Sequence, residues 1–179
     1  MCRWGSLEMQ QIRFRVALRA MPCMGKYVLD FGCGCCDMWL PVMRAGALRY
    51  VGVDILEGMQ KEAFLRYPGV ACACGDIIGV SLGEAEEMVG GKFDVGYALG
   101  SFSVEQGDNG AFLYRGVGRL LELCREGVVV DVLVGEGSRT DGRHYYTESE
   151  LSALGALGMV EEVWGIPGHN RMFTVKPYG

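Results

Sequence analysis

Several residues with the chemistry to hold a polar ligand follow directly after short hydrophobic runs. The run VLDF leads into the turn GCGCCD at 32–37, YVGVD closes on Asp54, and Asp76 follows VACACG. Gly32 and Gly34 permit a tight turn and let a ligand approach the backbone closely. The two carboxylates can accept hydrogen bonds from hydroxyl or amino groups. If the runs are neighbouring strands of one sheet, these groups meet at its carboxyl edge, where ligands bind in open α/β sheets.

The turn at 32–37 departs from the fingerprint of dinucleotide-binding proteins. G-x-G-x-x-G would place its third glycine where this chain has Asp37. A pyrophosphate about 4 Å from that carboxylate would be repelled by about 4 kcal/mol at an effective dielectric of about 20. A ligand with a sulfonium and an ammonium group would instead meet Asp30 and Asp37 with the opposite charge. Structural roles are also open, since Asp30 could bond the amides of the turn and Asp37 could cap the following helix.

Asp54 and Asp76 have the positions of nucleoside-binding acids. Asp54 lies 22 residues after Gly32, where a carboxylate can accept both ribose hydroxyls. Asp76 is placed to accept from an adenine amino group, and the backbone of Ile77 is placed to address the ring. Each acid alone could equally be a turn former at a strand end. Together with the glycine turn, they predict an adenosine that carries a small positive tail.

The elements that position these residues alternate between strand and helix. This order predicts a doubly wound α/β fold, a three-layer sandwich with a mostly parallel seven-stranded sheet. The last two strands are joined only by 165–171, shorter than the ~10–12 residues of a parallel crossover, so the sheet should end in an antiparallel hairpin. Strands are predicted at 26–31, 50–54, 70–74, 93–99, 128–133, 160–164 and 172–176, and helices at 6–21, 38–45, 57–66, around 113–124, and from the Thr147/Glu150 capping box to about 158.

The chain resembles the Rossmann-like (class I) S-adenosylmethionine-dependent methyltransferases over nearly all of its length, in their compact stand-alone bacterial and phage form. Their first motif is matched by Asp30, Gly32 and Gly34, the second by YVGVD, the third by GDI at 75–77, and the fourth by FDVGYALGS at 93–101. One departure is Cys36, which stands where the first motif often has a third glycine. The resemblance implies S-adenosylmethionine as cofactor. The contact residues expected are Asp30, Gly32, Cys33, Gly34, Asp54, Ile55, Asp76, Ile77, Ala98, Leu99 and Gly100.

The expected reaction is methyl transfer by in-line displacement, which depends on alignment of the reactants and needs a base only if the acceptor must lose a proton. His144 and Tyr146 are the catalytic candidates, with polar surface and sheet packing as their alternatives. In the family the edge at 98–103 faces the methyl group. It lacks both the Asn/Asp-Pro-Pro-aromatic signature of amino methylation on bases or glutamine and the Pro-Cys pair of cytosine chemistry. A small-molecule acceptor is therefore expected, with a protein side chain as the alternative.

Length, composition and charge limit the classes of partner and the cellular compartment that the sequence predicts. The 179 residues fit a single domain, 1–179, whose amino-terminal segment 1–25 is a helix and a possible lid. A net charge of −5 gives no footprint for nucleic acid, and no run is long enough to cross a membrane. Arginines at 13, 15 and 19 interrupt any signal peptide, so a cytoplasmic location is expected; their helix face would contact an acidic acceptor or solvent.

Two further readings remain open beside a methyltransferase. A noncatalytic S-adenosylmethionine-binding module is compatible with the same motifs. A nicotinamide oxidoreductase is disfavoured by Asp37 and by the terminal hairpin. The C-x-C-C run at 33–36, with Cys72 and Cys74, predicts no metal site, because this spacing does not easily turn three sulfurs onto one ion. The cysteines are expected to pack as small hydrophobic residues.

Overall fold

A seven-stranded sheet, in the order β3-β2-β1-β4-β5-β7-β6, runs through the computed structural model, which describes residues 6–135 and 142–179. The strands are β1 Tyr27–Phe31, β2 Arg49–Asp54, β3 Cys72–Cys74, β4 Phe93–Leu99, β5 Cys124–Leu133, β6 Met159–Val163 and β7 Asn170–Lys176. The helices are α1 Leu7–Ala20, α2 Trp39–Arg44, α3 Glu57–Arg66, α4 Leu82–Val89, α5 Asn109–Leu123 and α6 Glu148–Ser152, the last continued by a 3₁₀ turn at Ala153–Ala156.

Strands β1 to β5 pair in parallel, and β7 pairs antiparallel with both β5 and β6. The strand order reverses between β1 and β4, which places the switch point of the sheet at their carboxyl ends. The predicted mostly parallel sheet with a terminal hairpin is therefore confirmed. No helix among the described residues is long and apolar enough to span a bilayer.

Both faces of the sheet are covered, as a doubly wound fold requires. On β5, Val128 and Val130 belong to the core under α4 and α5, whereas Val129 belongs to the core under α1 and α2. Successive side chains of a strand alternate between faces, so a buried parallel strand is hydrophobic throughout. The run VVVDVL therefore feeds both cores, with a single buried acid, Asp131, in its middle.

Capping residues fix the starts of helices α1, α4 and α6. The Ser6 hydroxyl accepts a hydrogen bond from the Met9 amide at the start of α1. Thr147 and Glu150 form the predicted capping box of α6. Helix α4 is an addition to the predicted elements, and Ser81 and Glu84 form the same type of capping box at its start. Its signature is therefore present in the sequence.

The starts of β3 and β5 differ from the predicted ones for local reasons. Strand β3 begins at Cys72 rather than at Val70, because the Val70 amide donates to the carbonyl of Tyr67 in a turn. Strand β5 begins at Cys124, four residues before the predicted start, through an irregular pairing with β4 between Phe93 and Val95. Neither difference moves the carboxyl ends of the strands, where the candidate site lies.

Candidate functional site

The turn after β1 and the loop after β4 contact each other at the switch point. Gly32 and Gly34 have φ angles of 64° and 53°, in the left-handed region that favours glycine. The amides of Gly32 and Cys33 donate to the carbonyl of Val53 at 2.8 and 3.1 Å. A Cβ atom on Gly32 would lie 2.4 Å from Oγ of Ser101, whose hydroxyl donates to the Phe31 carbonyl at 2.7 Å. Gly32 is thus required for this close approach.

Asp54 holds the turn in place from the end of β2. Its Oδ2 atom accepts from the amide of Gly34 and its Oδ1 atom accepts from the amide of Leu56, both at 2.9 Å. Asp54 is half-buried. A carboxylate offers about four lone-pair sites, so these two bonds leave acceptor capacity on a group that is already oriented. The role of Asp54 toward ribose hydroxyls stays a prediction.

Asp76 is exposed after β3 and forms a local turn. Its Oδ1 atom accepts from the amides of Ile78 and Gly79 at 2.9 and 3.1 Å. Within residues 6–135 and 142–179, the Oδ2 atom makes no hydrogen bond. One carboxylate oxygen of Asp76 therefore stabilises the turn, as the turn-former alternative predicts, and the second oxygen is available to a ligand.

The remaining predicted contact residues differ in what they can present. Ile55 is 66% exposed and offers an apolar surface directly after Asp54. The side chains of Ile77, Ala98 and Leu99 are buried in the cores, so these residues can reach a ligand only through their backbone. Gly100 is exposed, with a φ of 78°. The Cys33 thiol points toward other cysteines.

Asp30 differs from its expected role. The amides of the turn go to Val53 and Asp54, and Asp30 instead accepts from the Tyr50 hydroxyl at 2.5 Å. The expectation that Asp30 bonds the turn amides is therefore wrong. Burial raises the pKa of the Asp30 carboxyl to about 7, although the hydrogen bond from Tyr50 opposes the shift. At 5% exposure, Asp30 joins β1 to β2 through the Tyr50 hydroxyl and does not face a ligand directly.

Asp37 also takes a structural role, but a different one from a helix cap. It accepts from Gln10 Nε2 at 2.9 Å and from the Tyr67 hydroxyl at 3.1 Å, and pairs with Arg66 at 3.4 Å. Helix α2 starts after Met38 without a side-chain cap. Asp37 thus connects α1 and α3 to the turn. The prediction that Asp37 caps a helix is wrong, and so is the prediction that its charge faces a cationic ligand.

Arg13 lies in a buried ion pair rather than on a solvated helix face. Its Nη1 atom is 3.3 Å from Oδ2 of Asp131, and its Nη2 atom donates to Asn170 at 2.5 Å. The other oxygen of Asp131 accepts from the amide of Gly100. Helix α1 is therefore connected through one carboxylate to the loop after β4. The sequence feature that indicates this contact is Asp131, the lone acid in the otherwise hydrophobic run VVVDVL. It was not among the predicted site residues.

Helix α1 packs directly on the sheet. Phe14, Val16 and Ala17 are buried, and the Tyr97 hydroxyl donates to the carbonyl of Met21 just beyond the helix. Residues 1–5 of the segment predicted as a possible lid lie outside the described residues. The described part packs on the sheet beside the loop after β4, and lid motion stays a prediction.

Tyr146 does not occupy the position expected of a catalytic residue. Its ring is fully buried, and its hydroxyl donates to the carbonyls of Phe102 and Asn109 at 2.8 and 3.2 Å. Burial raises the pKa of this hydroxyl. Phe102 is itself fully buried. Tyr146 is therefore a core residue that positions the loop after β4, and we no longer count it among the catalytic candidates.

His144 lies beside that loop, between two carboxylates. Its Nε2 atom is 2.9 Å from Oε1 of Glu150, and its Nδ1 atom is 3.7 Å from Oε2 of Glu105. Its amide donates to the carbonyl of Ser103 at 3.0 Å. A carboxylate on one ring nitrogen fixes the orientation of the imidazole and supports a proton on it. His144 stays a candidate base.

Comparison with known proteins finds relatives by structure only. No family model matches the chain, and no curated protein matches its sequence. Magnesium protoporphyrin IX methyltransferase (ChlM) from Synechocystis PCC 6803, solved with bound SAM, superimposes with a TM-score of 0.67 at 18% identity over 96% of this chain and 80% of that one.

Two other solved structures are similar to the same extent. CalS10, a SAM-bound amino pentose methyltransferase from Micromonospora echinaspora, gives 0.66 at 17% identity over 96% and 90% of the two chains. N-methyltransferase NodS from Bradyrhizobium japonicum gives 0.64 at 14% identity over 96% and 99%. The chain therefore has the Rossmann-like class I methyltransferase fold, as its motifs predicted.

Proposed function

We propose that this protein is an S-adenosylmethionine-dependent methyltransferase with a small-molecule acceptor. The observation that carries the proposal is Asp54, a carboxylate that fixes the glycine turn through one oxygen and retains acceptor capacity at the switch point of a methyltransferase fold. The bound cofactors named for the similar structures, SAM in two of them, agree with this assignment.

The residues at the strand ends fit this cofactor chemically. Asp54 and Asp76 would accept from the ribose hydroxyls and the adenine amino group, and Ile55 would cover the ring from its exposed position. Gly34 would leave room for the methionine part beside the turn, since it carries no Cβ atom. The negative charges of Asp54 and Asp76 at this edge of the sheet would disfavour a pyrophosphate.

S-adenosylmethionine supplies, when bound, a methyl group on a sulfonium that an acceptor can displace in line. The chain's task is to hold and orient the two partners and to exclude water, which can supply about 7–11 kcal/mol. Gly100 and Ser101 would form the edge facing the acceptor. Asp131 fixes that edge by accepting from the Gly100 amide, and Arg13 fixes Asp131 in turn.

A small organic acceptor is supported by two observations. The net charge of −5 disfavours nucleic acid. Two of the similar structures are named as methyltransferases of a magnesium protoporphyrin and of an amino pentose. If the acceptor is a hydroxyl or thiol, we propose His144 as the base, since Glu150 orients Nε2 while Nδ1 is too far from Glu105 for a hydrogen bond.

We also propose a cytoplasmic location. All seven cysteines among the described residues are free thiols. Thiols persist in that form in a reducing compartment.

Incubation of the purified chain with isotopically labelled S-adenosylmethionine and a cell extract tests the proposal. The extract is divided into a metabolite fraction and a protein fraction, so that the labelled product reveals the acceptor class. We expect label in the metabolite fraction. Label in the protein fraction would overturn the acceptor class, and cofactor binding without any transfer would favour a noncatalytic module.

Two matched variants assign the activity to the candidate site. Asp54→Asn should lower labelled transfer at least about tenfold, because a carboxylate that orients the turn and accepts from ligand hydroxyls is worth about 1.5–3 kcal/mol per charged hydrogen bond. Asp94→Asn is the control, since Asp94 caps the Tyr27 amide at the opposite end of the sheet. Equal transfer by both variants would contradict the site assignment.

A further inference from the structure

We propose that the thiols of Cys33, Cys36 and Cys72 bind one thiophilic d¹⁰ metal ion, of the Zn(II) or Cu(I) class. The site lies beneath the turn after β1, and Cys72 reaches it from strand β3. This inference goes beyond the proposed function and does not depend on it, because the three ligands are separate from the carboxylates at the strand ends.

The sulfur positions match a single ion. The Sγ atom of Cys33 lies 3.5 Å from that of Cys36 and 3.7 Å from that of Cys72, and all three lie within 4.8 Å of one another. With a metal–sulfur bond of about 2.3 Å, sulfurs around a tetrahedral ion lie about 3.8 Å apart. Only small shifts of the side chains are therefore needed to coordinate an ion.

Gly52 of β2 provides the space for this thiol cluster. A Cβ atom on Gly52 would lie 2.7 Å from Sγ of Cys33 and 2.8 Å from Sγ of Cys36. Real Cβ contacts are not this short, so any side chain here would push the two sulfurs away. The three thiols can therefore lie this close together only because residue 52 is a glycine.

The backbone conformation of Cys36 supports a functional role for its thiol. Its φ of 56° makes it the one non-glycine residue with positive φ among 6–135 and 142–179. That conformation costs about 1–2 kcal/mol for a residue with a Cβ atom. A glycine would avoid the cost, as it does at Gly32 and Gly34. An observed strained residue of this kind supports a functional role for its side chain.

The spacing of the ligands also fits a metal site once the right pair is identified. Cys33 and Cys36 form a C-x₂-C pair, and Cys72 is supplied by the sheet. Within the C-x-C-C run, only Cys35 directs its thiol away from the other two: its Sγ atom faces Sδ of Met59 at 3.7 Å. Strand pairing, which sequence spacing does not reveal, brings Cys72 to the pair.

Three thiolates suit soft ions. Thiolate ligands select Cu(I) and Zn(II) over harder cations, and binding releases the thiol protons to solvent. Three ligands would hold Cu(I) alone, whereas Zn(II) would keep a water as its fourth ligand. Strand β3 is at the edge of the sheet and Cys72 is half-buried, so an ion can enter from that side.

Metal titration of the full chain tests the proposal. The protein is reduced, stripped of metal and titrated anaerobically with Zn(II) and, separately, with Cu(I), each in competition with a chromophoric chelator. We expect one ion per chain in at least one titration, and the tighter one identifies the ion class. Co(II) should give the near-ultraviolet absorption of thiolate-to-metal charge transfer.

Matched variants assign the uptake to these three thiols. Cys72→Ser removes one ligand and should weaken binding by about a hundredfold or more, above the 10–100-fold typical of an outer-shell partner. Cys74→Ser, two residues along the same strand, should bind like the parent. Gly52→Ala keeps every thiol but closes the space, and should lose binding, whereas Gly58→Ala, which has open space around it, should not.

Each outcome decides the question. No uptake of either ion, or equal affinity in Cys72→Ser and the parent, would overturn the proposal. Circular dichroism establishes that each variant is folded; if Gly52→Ala is not, Cys72→Ser decides alone. Cofactor affinity is measured separately, so a chain that binds metal but no cofactor would refute only the proposed function.

Discussion

The guanidinium of Arg13 on α1 lies 3.3 Å from the carboxylate of Asp131 in β5, and the two side chains are 12% and 1% exposed. Removal of one partner leaves an uncompensated buried charge. Asp131→Ala should therefore lower the free energy of unfolding by about 3–5 kcal/mol. Urea denaturation of the parent and the variant measures this loss. A loss below about 1 kcal/mol would show that the pair is not buried as described.

A double-mutant cycle isolates the pair itself. Arg13→Met removes the guanidinium but keeps an apolar stem, and the double variant Arg13→Met/Asp131→Ala leaves no unpaired charge. We expect the double variant to be more stable than the sum of the two single losses predicts, by about 1–3 kcal/mol. Additive losses would contradict a direct interaction.

The buried carboxyl of Asp30 should make stability fall as the pH rises. Burial, with smaller effects from Cys72, Asp54 and Asp37, raises its pKa to about 7 from an ordinary value of 3.8. The folded state therefore holds a proton that the unfolded state has released. The stabilisation is complete below about pH 4 and is lost as the pH rises to 7. Between pH 5 and 8 the loss should be roughly 3 kcal/mol.

Asp30→Asn tests this pH dependence. The amide oxygen can still accept from the Tyr50 hydroxyl, but the side chain no longer titrates. Urea denaturation at pH 5 and pH 8 should give a smaller difference for the variant than for the parent. Burial also raises the pKa of Asp131, and this contribution is common to both proteins. Equal differences in the two proteins would contradict the assignment.

The left-handed backbone at Cys36 reverses the usual order of alanine and glycine. Both Cys36→Gly and Cys36→Ala lack the thiol, so they differ only in backbone preference and one methyl group. Because φ is 56°, the glycine variant should be the more stable by about 1–2 kcal/mol. Chemical denaturation compares the two. The same pair at Cys74 is the control, and a more stable Cys36→Ala variant would refute the conformation.

Tyr146→Phe separates positioning from catalysis. The change removes the hydroxyl that donates to the carbonyls of Phe102 and Asn109 and leaves the Phe102 carbonyl only the longer bond from Asn109 Nδ2 at 3.4 Å. This loss should cost about 1–3 kcal/mol of stability. The folded variant should still transfer methyl groups within a few-fold of the parent rate. Tyr145→Phe, with a ring that packs against His169, serves as the neighbouring control. A loss of activity beyond about a hundredfold in folded Tyr146→Phe would restore its catalytic role.

The fold could be predicted because its signals are local. The alternation of apolar runs and helical patterns, the Thr147/Glu150 capping box and the short 165–171 connection depend only on neighbouring residues. The carboxyl ends of β1 and β2, and with them Gly32 and Asp54, were placed correctly for the same reason. The Ser81/Glu84 capping box shows that a local signal can also be missed.

The partners of the buried acids could not be predicted, because they depend on which strands lie side by side. Asp30 bonds to Tyr50 only because β1 and β2 pair in parallel with Val28 opposite Tyr50. Asp131 meets Arg13 across 118 positions of sequence, through the packing of α1 on the sheet. The turn at 32–37 gains Cys72 in the same way.

Calorimetric titration of the purified chain with S-adenosylmethionine, S-adenosylhomocysteine and NAD tests the central assignment most directly. We expect one site per chain for the two sulfur nucleosides, no binding of NAD, and an affinity at least severalfold weaker in Asp54→Asn than in Asp94→Asn. Absence of heat with either sulfur nucleoside, or unchanged affinity in Asp54→Asn, would contradict it.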